Sequence, residues 1–221
     1  MTHLNRPTVL VWTLLLGACA SAPTRIYTLQ SIAPNTDSIA ARAQAAPAVA
    51  AGSAAPAPTG PPIRVDVVHV PAALDRMELV EDVAPGEIRI RDLDQWSAPL
   101  GELARQALTA DLIERLPAGR VLFPHLAKPA GALGISVDLL AFHSDGAAAS
   151  AQASWIIESA APSERQRGTA MLTTAGTAST GGSGSPGDTG QGAAATADAL
   201  SVLLAQLADR IVESLHQASA H

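Results

Sequence analysis

Apolar and polar residues alternate in two stretches of the chain, and each stretch predicts a β-strand. Residues 63–70 read IRVDVVHV and are rich in Val. This pattern places Ile63, Val65 and Val67 on one face of the strand. Residues 87–91 read EIRIR and alternate in the same way. Each strand is therefore expected to cover an apolar core with one side.

A helix is predicted over residues 96–116, because apolar side chains recur there at near-helical spacing. Ser97 stands where an N-cap is expected, and Pro99 falls in the first turn, where a missing N–H costs little. Pro117 and Gly119 are expected to end the helix. Its apolar stripe consists of Leu100, Leu103, Ala107, Ala110, Leu112 and Leu116.

Residues 193–217 carry the clearest helical pattern in the chain. The apolar stripe consists of Leu200, Leu204, Leu207, Ile211 and Leu215. The polar residues largely off this stripe are Asp198, Gln206, Asp209, Arg210 and Glu213. This segment is expected to be an amphipathic helix that packs against the rest of the fold.

Shorter runs complete the expected architecture. Further strands are predicted at residues 25–29, 79–80, 121–123, 133–142, 147–158 and 168–174. The turn signal Ser144-Asp145-Gly146 joins two of them into an antiparallel pair. This order of elements predicts an α/β fold, with one domain and a mixed β-sheet flanked by helices. The sheet is expected to be mixed because adjacent strands follow one another without an intervening helix.

Two low-complexity segments are not expected to join the core. Residues 34–62 consist mainly of Ala, Pro, Ser and Thr, and so little apolar surface does not offset the entropy of ordering. This segment is predicted to be a disordered or polyproline-like linker. Residues 176–192 are rich in Gly, Ser and Thr and predict a flexible loop. The folded domain is therefore expected to span residues 63–221.

The N-terminus has the three parts of an export signal. Arg6 precedes the apolar run 9–16, which is too short to cross a bilayer core of roughly 30 Å as a helix. Residues 16–19 read LGAC and resemble the bacterial lipobox. Residues 1–18 are therefore predicted to be a lipoprotein signal peptide, with cleavage before Cys19.

The lipobox resemblance implies that the thiol of Cys19 carries a diacylglycerol and that its freed amine is acylated. Residues 19–33 are then the lipid anchor and a short N-terminal strand. Each buried CH₂ contributes about 0.8 kcal/mol, so two or three acyl chains attach the protein firmly to a membrane. The alternative is an ordinary signal peptide cut near Ala20 or Ala22. The position after Cys19 is Ala20 instead of Asp, which favours the periplasmic face of the outer membrane.

Charge and cysteine content exclude several classes of protein. The formal net charge is −6, Lys128 is the single lysine, and the arginines form no basic run. Binding to nucleic acid is not expected, because phosphate contacts need clustered cations. A single cysteine excludes an intramolecular disulfide and a cysteine-based metal cluster.

Catalysis and cofactor binding are not predicted. The histidines considered as metal ligands, which lack metal-ligand spacing, are His69, His125, His143 and His216. Asp92 and Asp94 resemble a carboxylate pair for acid–base chemistry, but acids in front of a helix also favour its dipole. No phosphate-binding glycine loop, dinucleotide fingerprint or nucleophile elbow occurs. The chain is expected to be neither an enzyme nor a metal or cofactor binder.

Three residues have both a functional and a structural interpretation. Arg76 is a candidate partner contact, since Arg is enriched at interfaces. The favoured alternative is a turn in which Asp75 accepts backbone hydrogen bonds. Trp96 and Trp155 are expected in the core in preference to a ligand platform.

Several segments together resemble the PqiC/YmbA-type auxiliary lipoproteins of ABC transport systems. They are Cys19 with Tyr27-Thr28-Leu29, residues 65–76 leading to Glu78-Leu79-Val80, residues 94–100 (DQWSAPL), Trp155, and the terminal helix from Ala199-Leu200-Ser201. The long linker and the glycine-rich loop depart from the family pattern.

The resemblance implies a mixed α/β sheet with helices, similar to the N-terminal domain of TolB. It also implies self-association and a role in lipid transport between the two membranes, which supports envelope integrity. The partners would be an MCE-domain protein and an ABC transporter. The alternatives are a structural envelope lipoprotein that binds peptidoglycan or another outer-membrane protein, and a carrier that holds lipid itself.

Overall fold

The computed structural model describes residues 22–34, 60–84, 86–144, 148–159, 165–175 and 189–218. Several predicted features lie outside these residues: the signal peptide 1–18, Cys19, most of the linker 34–62, most of the loop 176–192, and Asp145-Gly146 of the predicted turn. The C-terminal helix begins at Thr189, four residues earlier than predicted.

Within the described residues the chain forms eight strands and two helices, which are numbered here in chain order. They are β1 (Arg25–Tyr27), β2 (Ile63–His69), β3 (Glu78–Ala84), β4 (Glu87–Trp96), α1 (Leu100–Arg115), β5 (Val121–Leu122), β6 (Leu133–Ser144), β7 (Ala148–Glu158), β8 (Arg165–Ala175) and α2 (Thr189–Ala218). The predicted strands and both helices are present, with β3 and β4 longer than expected.

The strands form two sheets. The larger has the order β5-β2-β6-β7-β8, in which β5, β2 and β6 are parallel and β6, β7 and β8 are antiparallel. The smaller has the order β1-β4-β3, with β1 parallel and β3 antiparallel to β4. The predicted α/β fold with mixed pairing and flanking helices is confirmed, but the strands divide between two sheets instead of forming one.

Both helices cover the same face of the five-stranded sheet. α1 packs on β2 and α2 packs on β7 and β8, and the two helices contact each other. The predicted stripe of α2 is buried throughout, with Leu207 and Ile211 at 0% exposure. Trp96 and Trp155 are 3% and 4% exposed and lie in the same core. The interpretation of both tryptophans as core residues is confirmed.

The prediction that Val67 lies on the buried face of β2 with Ile63 and Val65 is wrong. The pairing of β2 with β6 shifts between Val65 and Val67, which marks a β-bulge. The bulge reverses the alternation, so Val68 is buried at 5% exposure and Val67 is only half-buried. Simple alternation along the sequence does not reveal such an insertion.

The predicted start of the first helix is also wrong. Trp96 is the last residue of β4, and the helix begins at Leu100 with Pro99 in the capping position. The N–H of Trp96 donates to Met77 O at 2.7 Å, and the N–H of Ser97 donates to Tyr27 O at 2.8 Å. These hydrogen bonds to Met77, just before β3, and to Tyr27 of β1 keep the chain extended before the helix, and Ser97 does not cap it.

Gly168 in β8 allows the indole of Trp155 to pack flat against the strand. The two residues are directly paired across β7 and β8. A Cβ atom built on Gly168 would lie 2.2 Å from Cζ2 of Trp155, which is a severe clash with the ring. The absence of a side chain at position 168 therefore shapes this end of the core.

We expect Gly168→Ala to lower the free energy of unfolding by about 1–3 kcal/mol, because the added methyl group overpacks the ring. Urea unfolding monitored by tryptophan fluorescence measures the change. Thr169→Ala is the matched control, since Thr169 is exposed in the same strand. Equal stability of the two variants would show that the ring moves freely away from position 168.

Candidate attachment site and interaction surfaces

The segment that follows the predicted anchor is built into the fold. Residues 25–27 form β1, which pairs in parallel with the end of β4, with Tyr27 opposite Trp96. Leu29 is 9% exposed and belongs to the main core. The N–H of Gln30 donates to Oγ of Ser201 in α2 at 3.2 Å. Residues 25–30 therefore belong to the same folded body as β4, α2 and the main core.

A buried polar cluster on α1 holds the next part of this segment. The N–H of Ile32 donates to Oδ1 of Asp111 at 2.8 Å, and Nη1 of Arg115 donates to the carbonyl oxygen of Ile32 at 3.0 Å. Arg115 also donates from Nε to Oδ1 of Asp209 in α2 at 2.6 Å. We call Ile32, Asp111, Arg115 and Asp209 the N-terminal clamp. It satisfies both backbone groups of Ile32 with side chains of α1, and Asp209 connects Arg115 to α2.

A second ionic cluster lies beside β1. Nε of Arg91 donates to Oδ2 of Asp94 at 2.7 Å, and Nη1 of Arg91 donates to Oε1 of Glu81 at 2.5 Å. The hydroxyl of Tyr27 donates to Oδ1 of Asp94 at 3.2 Å, and Nη1 of Arg25 lies 3.8 Å from the same oxygen. Burial, together with the Asp94 carboxylate, raises the pKa of Tyr27. Asp94 thus joins β1 to β4 through charged hydrogen bonds that are shielded from water.

Asp111 of the N-terminal clamp has a shifted pKa. It is 0% exposed, and loss of hydration raises the pKa of its carboxyl group to about 6. The hydrogen bond from Ile32 and the charge of Arg115 act in the opposite direction and are outweighed. Oδ2 of Asp111 has no hydrogen-bond partner among the described residues. Ionised Asp111 therefore destabilises the folded state relative to protonated Asp111.

An open groove lies between α1 and the chain that follows β5. Its volume is about 430 Å³. It is lined by Glu102, Arg105, Gln106, Thr109, Ala110, Ile113, Phe123, Pro124 and His125. The ring of Phe123 is 51% exposed and stacks on His125 with the ring centroids 5.8 Å apart. Exposed apolar side chains with a charged rim are typical of surfaces that bind another molecule.

Arg76, the candidate partner contact, lies in the connection between β2 and β3. The turn before it is closed by backbone hydrogen bonds, from the N–H of Asp75 to Pro71 O at 3.1 Å and from the N–H of Leu74 to the same oxygen at 2.8 Å. Nε of Arg76 donates to Oε2 of Glu78 at 3.1 Å, and both side chains remain partly exposed. Arg76 therefore combines a structural ion pair with access from solvent.

The other residues considered for chemistry are not brought together. Asp94 is buried with Arg91, whereas Asp92 is exposed on β4. The four described histidines considered above are exposed. In the part of the chain that the structure describes, no three His, Cys, Asp or Glu side chains are grouped to hold a metal ion. Neither of the two described helices has the combination of length and apolar character that a membrane crossing needs.

Comparison with known proteins identifies the family. The chain matches the model of the family described as ABC-type transport auxiliary lipoprotein component over residues 27–212. It therefore belongs to that family, and the resemblance to the PqiC/YmbA-type proteins is confirmed. Among curated proteins none matches the chain significantly.

Two crystal structures share the fold. One, of an uncharacterized protein, is 15% identical with a TM-score of 0.62 and covers 88% of this chain and 99% of its own. The other, a protein of the DUF330 family from Xanthomonas campestris, is 15% identical with a TM-score of 0.59 and covers 89% of this chain and 99% of its own. The three proteins therefore share the same fold.

The clamp and the groove were not found from the sequence. A signal for the clamp exists, because Asp111 and Arg115 are one turn apart and interrupt the apolar stripe of α1. Buried charges of this kind are rare without a partner, so their position indicates a polar contact. The partner itself, the backbone of Ile32, is 79 positions from Asp111 and carries no local signal.

The raised pKa of Asp111 predicts a pH-dependent stability. The folded state binds the Asp111 proton more tightly than the unfolded state, so this group stabilises the fold below about pH 4 and the contribution is lost as the pH rises to about 6. The difference between the two pKa values corresponds to at most about 3 kcal/mol. We expect Asp111→Asn to remove this fall in stability while its amide oxygen still accepts from Ile32.

Urea unfolding between pH 4 and pH 7 measures this effect. Asp209→Asn is the matched control, because Asp209 also accepts a hydrogen bond from Arg115 but is 59% exposed. The control should keep the fall in stability and shift it slightly to lower pH, because the charge of Asp209 is a minor cause of the raised Asp111 pKa and burial is the largest. A wild-type profile in Asp111→Asn would contradict the assignment of the slope to Asp111.

Proposed function

We propose that the protein is a non-catalytic auxiliary subunit of an MCE/ABC-type, Pqi-like system for intermembrane lipid transport, anchored through acylated Cys19 to the periplasmic face of the outer membrane. Membership of the auxiliary lipoprotein family supports the transport role. The lipobox LGAC at residues 16–19 supports the anchor. In this role the protein needs no cofactor, acts as a homo-oligomer and supports envelope integrity.

The observation that carries the proposal is the binding of the N-terminal segment to the folded body. Only residues 20–24 separate Cys19 from β1. Six Cα–Cα steps therefore join Cys19 to Arg25, and fully extended they span about 20 Å. The low-complexity stretch 34–62 comes after β1 and does not lengthen this connection. An acylated Cys19 would hold the domain directly beside the membrane.

We expect Cys19→Ser to abolish stable membrane attachment, because the hydroxyl group does not receive the thioether-linked diacylglycerol. The variant should accumulate as unprocessed precursor or as protein in the aqueous fraction. Membrane fractionation combined with mass spectrometry of the N-terminal peptide measures both properties.

The control for this experiment is Ser21→Ala, which leaves the lipobox unchanged. It should be processed and retained in the membrane like the wild type. Unchanged fractionation of Cys19→Ser would contradict acylation at this residue, and an inner-membrane location of the wild type would contradict the outer-membrane assignment.

The groove between α1 and the chain after β5 is the surface that we assign to the transporter partner. Phe123 and Ile113 are 51% and 38% exposed on its apolar wall. Arg105 and Glu102 form an ion pair of 2.7 Å on its rim. An aromatic residue beside an Arg, surrounded by polar groups, is typical of the few residues that dominate binding energy at protein interfaces.

We expect Phe123→Ala to weaken binding of the MCE-domain protein by about tenfold or more, because it removes the exposed aromatic side chain of the groove. Co-purification of the full-length lipoprotein with a tagged MCE-domain protein from the same bacterium measures the loss. Thermal unfolding should be unchanged, since the ring is half exposed.

Met171→Ala is the matched control, because Met171 is 68% exposed on β8 and far from the lining of the groove. Arg76→Ala tests the predicted partner contact in the same assay, with Arg210→Ala as its control, since Arg210 is also exposed and paired with a nearby Glu. If wild-type protein instead sediments with isolated peptidoglycan and binds no MCE-domain protein, the structural envelope role replaces the transport role.

A further inference from the structure

The three-stranded sheet has one face in the core and one face in solvent. Paired residues point to the same side of a sheet, and successive residues of a strand point to opposite sides. Leu79 of β3 and Trp96 of β4 are buried in the core on the inner side. The opposite side carries Val80, Ile90, Ile88 and Ile26, which the register places together. We call these four residues the outer apolar face.

Pairing with β3 shows that the apolar residues of β4 and Ile26 of β1 lie on the same side of the sheet. Val80 is paired with Ile90, and Ile88 is two residues from Ile90 on the same strand. Glu78, two residues before Val80, is paired with Gln95, and Gln95 is paired in turn with Ile26 of β1. The partners of Glu78 and Leu79 are Gln95 and Arg91, so the extra residues between them form a bulge in β4. This bulge does not interrupt the alternation along β3. All three strands therefore contribute an apolar side chain to the same side.

Three isoleucines of this face are open to solvent. Ile26 is 70% exposed, Ile88 is 48% exposed and Ile90 is 41% exposed. Val80 between them is 9% exposed. Isolated apolar residues on a protein surface are ordinary, but several exposed isoleucines on one sheet face, here beside the polar Gln95 and Glu78, indicate contact with an apolar partner.

The direction of β1 brings the chain from the predicted anchor to the hairpin end of this sheet. β1 runs parallel to β4, with Arg25 opposite Asp94. The chain before Arg25 therefore approaches from the side of the β3–β4 hairpin. Cys19 precedes Arg25 by the same number of residues as Ile88 precedes Asp94. A connection this short keeps the acyl chains within about 20 Å of Arg25.

We propose that the outer apolar face lies on the lipid bilayer that holds the anchor, with Ile26, Ile88 and Ile90 in contact with the interfacial region. The proposal rests on the acylation of Cys19. It adds a second contact beside the anchor, and this second contact fixes the orientation of the domain on the membrane. The same register places Arg25 and Arg89 on the opposite side of the sheet, so the contact with lipid depends on the isoleucines.

A bilayer fits this face better than a protein partner does. The anchor and the face are joined by residues 20–24, so the face is close to lipid in every acylated molecule. The net charge of −6 offers no general attraction to anionic lipid, so attachment depends on local apolar contacts. Arg76 and Glu78 lie at the other end of β3 from the hairpin, which leaves Arg76 accessible to a protein partner.

The chain offers a direct test, because Cys19 is its only cysteine. In acylated protein the Cys19 thiol is blocked by its thioether, so a cysteine introduced elsewhere is the sole site for a thiol-reactive fluorophore. Full-length Ile88→Cys and Ile26→Cys are labelled with an environment-sensitive dye and reconstituted into phosphatidylethanolamine/phosphatidylglycerol vesicles. Met171→Cys, on β8 of the other sheet, is the control with comparable exposure.

We expect lipid-attached nitroxide quenchers to quench the dye at positions 88 and 26 about threefold more than at position 171, because only the first two contact the interface. Each variant is first shown to float with vesicles and to unfold cooperatively on heating. If one of the two positions destabilises the fold, the other carries the measurement.

The outcomes separate this proposal from the proposed function. Equal, weak quenching at positions 88 and 171 in protein that floats with vesicles overturns the membrane-facing orientation and leaves the anchor intact. Labelling of the wild-type protein at Cys19 contradicts acylation and therefore the anchor itself. A spectral change at position 88 that depends on protein density and persists in detergent shows that a second copy covers the face, which also overturns the proposal.

Discussion

The structure depends on the contact between the backbone of Ile32 and the buried side chains of Asp111 and Arg115. One side chain accepts from the N–H and the other donates to the C=O, so neither backbone group is left unpaired. Arg115 extends the contact to Asp209, and the N-terminal segment is thus held by both helices. Removing Arg115 would leave the buried Asp111 carboxylate without its ion-pair partner, a change that generally costs about 3–5 kcal/mol. The arrangement makes the segment after the proposed anchor part of the folded body.

This contact explains how the proposed anchor at Cys19 would position the domain. The family match begins at Tyr27, the residue of β1 that hydrogen-bonds Asp94. A domain attached through a long flexible spacer would sample many orientations on a membrane. Here the spacer between Cys19 and β1 is residues 20–24, whereas the Ala/Pro-rich stretch is an internal connection between β1 and β2. The distance between the proposed anchor and the domain is therefore limited by the order of these segments along the chain more than by their composition.

The groove beside α1 and the outer apolar face have different chemistry. The groove beside α1 combines Phe123 with charged residues on its rim, as protein interfaces do. The outer apolar face presents three exposed isoleucines on one side of a sheet, which suits a lipid interface. Assigning one surface to a protein partner and the other to the bilayer lets a single small domain contact both at once.

Local patterns along the chain predict the elements that depend on periodicity, and they also predict the acylation motif. The stripe of α2, the alternation of β6 and β7 and the lipobox-like LGAC at residues 16–19 each consist of neighbouring residues. Contacts in the folded state establish that β1 pairs with β4, that a bulge buries Val68, and that Asp111 meets Ile32. Periodicity indicates which face of an element is apolar, whereas the partner of that face is set by contacts between residues far apart in the chain. The extended backbone at Trp96 has the same cause, because hydrogen bonds from Trp96 and Ser97 to Met77 and Tyr27 replace the helix that the local pattern predicts.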